Sequence, residues 1–116
     1  MNLTLVESES PYMFIECEGQ ITQDATFADP FRDQFGADIY SKKVAFDLEG
    51  TSFIDSSGVS WLLKCQKRFR ENEGSLTLCA VPIVVMDVLR VLSLQDTFCI
   101  LERAELEKMT NEGTEE

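Results

Sequence analysis

The sequence has no histidine, only three prolines and six glycines in 116 residues, and fewer than half as many basic as acidic side chains, 10 against 21. Each shortage excludes something. Without imidazole, a nucleophilic serine lacks its usual general base, and a zinc site lacks its commonest nitrogen ligand. The four cysteines, Cys17, Cys65, Cys79 and Cys99, are far apart, form no CxxC pair and each sit in an apolar run. They read as reduced core thiols, not as a disulfide framework or metal cluster. No apolar run reaches the roughly 18–20 residues of a membrane span. The longest, 81–92, is interrupted by Pro82, Asp87 and Arg90. Met1-Asn2-Leu3-Thr4 opens no basic-then-apolar signal segment, so the expected location is cytoplasmic. GxSxG, Walker and dinucleotide-glycine motifs are all missing, and intrinsic catalysis and bound cofactors are not expected. A net charge of −11 opposes nucleic acid and anionic membrane as partners and favours solubility and basic partner surfaces.

What remains is a chain long enough for one core, 44% hydrophobic, with eight phenylalanines and one tryptophan. Leu3-Thr4-Leu5-Val6 and Met13-Phe14-Ile15-Glu16-Cys17 predict two strands joined as a hairpin around Ser10-Pro11. Gly19 is expected to end the second, with a polar connection over 20–24. Phe27, Phe31 and Phe35 recur every fourth residue, the spacing of one helical face. Pro30 fits that helix only at its first position, after an Asp29 cap, and Gly36 marks a stop. Val44-Ala45-Phe46-Asp47-Leu48 predicts a strand buried on both faces. Val59, Leu62, Leu63, Gln66 and Phe69 predict an amphipathic helix ending near a left-handed Gly74. A strand over 75–81, a helix after Pro82 carrying Val85, Val88, Leu89 and Leu92, and a short strand over 98–101 complete the pattern. Single helices between strands imply right-handed crossovers and mostly parallel pairing. The expected fold is therefore a single α/β domain, a mixed sheet of four to five strands flanked by about four helices. From Glu102 onward acidic residues dominate, and 103–116 reads as a short helix fraying into a disordered tail beyond a domain of 1–102.

One turn carries chemistry. Phe53-Ile54-Asp55-Ser56-Ser57-Gly58 joins a strand end to a helix start, with two hydroxyls and a glycine at the junction. Asp55 or Ser56 can cap the first helical amides, and Gly58 permits close approach of another surface. The positive end of the helix dipole favours an anion there by about 0.3–1 kcal/mol. Taken alone, the four residues describe a cap.

The wider stretch, from Val44-Ala45-Phe46-Asp47-Leu48 through Thr51-Ser52-Phe53-Ile54-Asp55-Ser56-Ser57-Gly58 and the helix over 59–69, resembles the STAS domain of bacterial anti-sigma factor antagonists. The resemblance continues through Gly74, Leu76-Thr77-Leu78-Cys79, Pro82, Val88-Leu89 and Leu92-Ser93-Leu94 to Phe98, and includes Gly19-Gln20-Ile21. It implies that Ser56, or failing that Ser57, is phosphorylated by a cognate ATP-dependent anti-sigma factor kinase and restored by a phosphatase. The unmodified protein would bind the kinase and free a sigma factor; the modified one would let go. The partner-binding residues implied are Thr22, Asp55, Ser56, Ser57, Gly58, Val59 and Trp61. Thr22 stands where many members carry an acidic residue, and Ser60 replaces a common glycine. A monomer is the default. The other role open to the fold is a constitutive docking module of a transporter ATPase or sensory assembly, without phosphorylation.

Three features stay open on sequence grounds. Trp61 lies off the apolar stripe, as either an exposed partner anchor or packing against the helix after Pro82. Lys64, Lys67, Arg68 and Arg70 are either a solvated helix face or a contact for acidic partner residues. Asp47 within an apolar strand needs a hydrogen bond or a strand-end position.

Overall fold

The computed structural model describes residues 1–26 and 28–109. Its elements run β1 (Asn2–Val6), β2 (Met13–Ile21), α1 (Gln23–Thr26), α2 (Pro30–Phe35), a 3-10 helix (Ala37–Ser41), β3 (Lys43–Ile54), α3 (Ser56–Glu71), β4 (Ser75–Cys79), α4 (Ile83–Val91), β5 (Cys99–Leu101) and α5 (Arg103–Lys108). One five-stranded sheet keeps the order β1-β2-β3-β4-β5, with β1 antiparallel to β2 and the remaining pairs parallel.

That order dictates the layering. Each parallel crossover steps one strand further in the same direction, and right-handed connections then place every crossover helix on one face. The main core lies there: Ile15, Cys17, Val44, Phe46, Leu48 and Leu78 of the sheet meet Phe31, Ile39, Tyr40, Val59, Leu62, Phe69, Val85 and Leu89. On the opposite face, the one helix among the described residues is α5, whose fully buried Leu106 covers Phe14, Ala45 and Cys79. Burying such a side chain is worth about 1.5–3 kcal/mol. The Ser10 hydroxyl also donates to the Leu106 carbonyl at 2.8 Å, tying the β1–β2 turn to α5.

Asp47 projects toward this second face and is buried. Its Oδ2 accepts from the Arg103 guanidinium at 2.6 Å, and its Oδ1 from the Glu49 amide at 2.8 Å. Arg103 also reaches Glu16 at 2.5 Å and lies over the Phe14 ring. The Glu16 and Asp47 carboxylates hold that guanidinium charged, raising it above its ordinary range. Asp47 is thus satisfied by a residue 56 positions away.

Asp29 caps α2 at the Arg32 amide, Pro30 takes the first turn, and Gly36 ends the helix at a φ of 84°. Phe31 is buried and Phe35 half-buried; Phe27, the first of that predicted row, lies outside the described residues, as does the tail from 110 to 116. Two boundaries differ from expectation. Gly19 does not end β2: it adopts a φ of 101°, and after a register shift between Gly19 and Gln20 the strand runs on until Ile21 pairs with Ile54. At the end of α3 the left-handed residue is Glu73, with a φ of 65°. Gly74 instead serves close packing, because a Cβ there would collide with the Tyr40 and Lys42 carbonyls.

The cysteines also divide. Cys17, Cys65 and Cys79 are buried, and burial raises all three thiols, Cys79 to about 12. Cys99, expected in the core, is exposed because the first residue of the edge strand β5 points outward. A chromogenic disulfide reagent at pH 8 should titrate one thiol in the native protein and four after unfolding. Rapid labelling of two or more native thiols would contradict the packing described.

Candidate functional site

β3 ends at Ile54, and Asp55 follows in extended backbone, φ −106° and ψ −179°. Its carboxylate accepts the Gly58 amide at 2.8 Å, so Asp55, not Ser56, is the cap of α3. The Asp55 amide donates to the Ile21 carbonyl at 3.3 Å, fastening the turn to the end of β2. With capping assigned to Asp55, the Ser56 hydroxyl makes no hydrogen bond to a described residue. Ser56 is exposed, Ser57 half-buried, and both begin a helix of 16 residues.

Gly58 does a different job from the one expected of it, the close approach of another surface. It is buried against β2: an added Cβ would collide with the Ile21 carbonyl oxygen and come within 2.9 Å of Ile54 Cγ1. The surface that approaches its backbone is the chain's own. Val59 is likewise buried. Thr22, half-buried, directly follows Ile21, and its carbonyl accepts the Thr26 amide and hydroxyl, starting α1.

Between the segment running from α1 into α2 and the exposed flank of α3 lies a groove of about 570 Å3. Gln23, Thr26, Ala28 and Asp29 form one wall, and Ser56, Ser57, Ser60, Trp61, Lys64 and Arg68 the other. Trp61 is only 5% exposed. It stacks on Phe31 of α2 with centroids 5.3 Å apart, and meets Phe46 edge-on. Both sequence alternatives are therefore revised: Trp61 is an internal support of the groove, and its neighbour is α2 instead of α4. Its indole N–H is buried without a partner among the described residues. Of the seven predicted contact residues, Ser56 and Ser57 form the groove's head. Asp55, Gly58 and Val59 hold that head in place, Trp61 floors the groove, and Thr22 borders the same edge of β2.

Sequence reasoning saw Asp29 only as a cap. Its carboxylate also takes the Tyr40 hydroxyl at 2.6 Å and the Arg68 guanidinium at 2.7 Å, locking the two groove walls together at their far end. Burial and the Asp29 carboxylate push the Tyr40 phenol upward, so it stays a neutral donor. Only the Asp29–Arg68 separation of 39 residues concealed this. Among the described residues no group of His, Cys, Asp or Glu is arranged to hold a metal ion, and no helix is long and apolar enough to cross a membrane.

The model of the STAS domain matches residues 4–109, a span that holds the groove and all of the sheet except the first two residues of β1. The chain belongs to the STAS domain family. Solved structures agree on the fold. Unphosphorylated SpoIIAA, described as an anti-sigma factor antagonist, superposes with a TM-score of 0.66 at 20% identity, covering 90% of this chain and 91% of its own. The phosphorylated form of the Bacillus cell fate determinant SpoIIAA gives 0.62 at 19% identity, with coverage of 90% and 95%. An anti-sigma-factor antagonist (STAS) domain protein from Planctomyces limnophilus gives 0.60 at 21% identity, with coverage of 90% and 94%. No curated protein sequence matched. In this STAS domain, the mixed five-stranded sheet and its five α-helices among the described residues accord with the fold expected from the sequence pattern.

Proposed function

We propose that the protein is an anti-sigma factor antagonist, acting in the cytoplasm, whose binding to an anti-sigma factor kinase is switched off by phosphorylation of Ser56. The observation that carries this reading is the Ser56 hydroxyl: exposed, without a hydrogen bond to any described residue, and set at the head of a groove that another protein can cover. Likeness to SpoIIAA, solved in phosphorylated and unphosphorylated forms, supports it.

The kinase supplies ATP. Ser56 Oγ attacks the γ-phosphorus, an O–P bond forms as the bond to ADP breaks, and the hydroxyl proton leaves with the kinase's base. The STAS domain is substrate and ligand in this step, and a phosphatase reverses it. Asp55 continues to cap Gly58 throughout, so the modified serine need not reorganise the helix. The phosphate adds about −1.5 to −2 charges at the first turn of α3, where the helix dipole tolerates it. A partner surface fitted to a neutral hydroxyl must then desolvate a dianion, and each 1.4 kcal/mol of penalty weakens binding about tenfold.

Ser56→Ala should bind the kinase as the unmodified protein does and resist release by ATP. Ser56→Asp should bind at least about tenfold more weakly. Equal affinity of the two variants, measured by calorimetry, would remove the switch.

A further inference from the structure

The chain carries 21 acidic and 10 basic side chains, yet four of the ten basic ones crowd onto α3. Lys64, Lys67 and Arg70 are exposed and form no ion pair with any described residue; Arg68 alone is engaged, by Asp29. Their spacing is unfavourable within the helix. Lys64 and Lys67 are three apart, Lys67 and Arg70 three apart, and Lys64 and Arg68 four apart, so like charges face each other along one flank. The helix dipole accounts for cations in the last turn, Arg68 and Arg70, but falls off before Lys64. A chain with carboxylates in twofold excess has placed unpaired cations where they repel one another. That stripe begins in the groove, which Lys64 lines, about 12 Å along the helix from Ser56.

We propose that this stripe, led by Lys64 and Lys67, receives an acidic segment of the partner protein lying along the groove. The proposal rests on the reading of the groove as the docking face. It also supplies a direct reason for release. An acidic segment seated beside Lys64 faces Ser56 at its other end, so a phosphate there places like charge against the segment. Charge selection is local: the chain's overall negative field opposes an acidic partner, and the four cations crowded onto α3 favour docking there.

The test needs neither kinase nor ATP in its first arm. A blocked octaglutamate peptide is titrated into the isotope-labelled protein at about 0.15 M salt, where long-range repulsion is screened beyond about 8 Å. Amides of the first three turns of α3 and its centre should shift saturably, and Lys64→Glu/Lys67→Glu should abolish the shifts. Lys42→Glu/Lys43→Glu carries the same charge change at the opposite end of β3 and should leave them intact. Lys64→Gln/Lys67→Gln provides the same readout should the charge reversal unfold the helix. Absence of shifts along α3, or equal loss in both charge-reversed variants, overturns the proposal while leaving phosphorylation of Ser56 untouched. The second arm measures affinity for the kinase that modifies Ser56. Lys64→Glu/Lys67→Glu should weaken it about 30-fold more than Lys42→Glu/Lys43→Glu. Equal affinities in that arm also overturn it, even if the peptide binds. Loss of the distinction between Ser56→Ala and Ser56→Asp would instead strike the phosphorylation switch alone.

Discussion

Gly58→Ala is expected to lower stability by about 3 kcal/mol and the melting temperature by roughly 10–20 °C. One methyl has this effect because of what it meets. The added Cβ collides with the Ile21 carbonyl oxygen, a backbone atom that cannot swing aside like a side-chain tip. Either the first turn of α3 lifts from β2, or Ile21 retreats and loses the Asp55 amide it accepts. Both responses displace Ser56, so docking through the groove should weaken along with stability. Ser60→Ala, at an exposed position two residues on, should melt within about 2 °C of the parent. Thermal unfolding followed by circular dichroism measures both, and a Gly58→Ala protein as stable as the Ser60→Ala one would refute the close approach described.

Arg103→Ala should cost about 2–4 kcal/mol, a large effect for a short helix near the chain's acidic end. Removing the guanidinium leaves Asp47 buried as a carboxylate with only the Glu49 amide for company, and leaves Glu16 without its counter-ion. Breaking one side of a buried pair is costly because the remaining charge stays desolvated. Adding Asp47→Asn to Arg103→Ala should therefore recover part of the loss, since a buried amide is far cheaper than a buried carboxylate. Arg103→Lys should not restore the parent, because a single ammonium cannot reproduce the guanidinium fork between Glu16 and Asp47. Urea denaturation reads each variant. Arg103→Ala unfolding at the parent's midpoint would mean that the pair contributes nothing.

These cases show which parts of the molecule are legible in sequence. The cap of α2 was readable because Asp29 accepts an amide one turn away and Pro30 opens the helix, and the strand-to-helix turn because Asp55, Ser56, Ser57 and Gly58 are contiguous. The parallel sheet followed from single helices between apolar runs. What stayed hidden depends on partners distant along the chain. Gly19 looks like a breaker locally, but β3, thirty residues on, pairs with the segment beyond it and keeps it in the sheet. Trp61 could be placed on a helix, yet only the docking of α2 brings Phe31 beneath it. Gly58 was read as inviting a partner because sequence cannot tell which surface approaches a glycine. Asp47 and Arg103, 56 residues apart, each look like an ordinary charge, and only the docking of α5 on the second face of the sheet explains why they meet.

The central claim is tested most directly by incubating the protein with its anti-sigma factor kinase and ATP, then localising added mass by fragment-resolved mass spectrometry while monitoring the complex. One phosphate on Ser56, appearing as the complex dissociates, is the predicted result. A phosphate carried elsewhere, or a Ser56-modified protein that stays bound, would contradict the account.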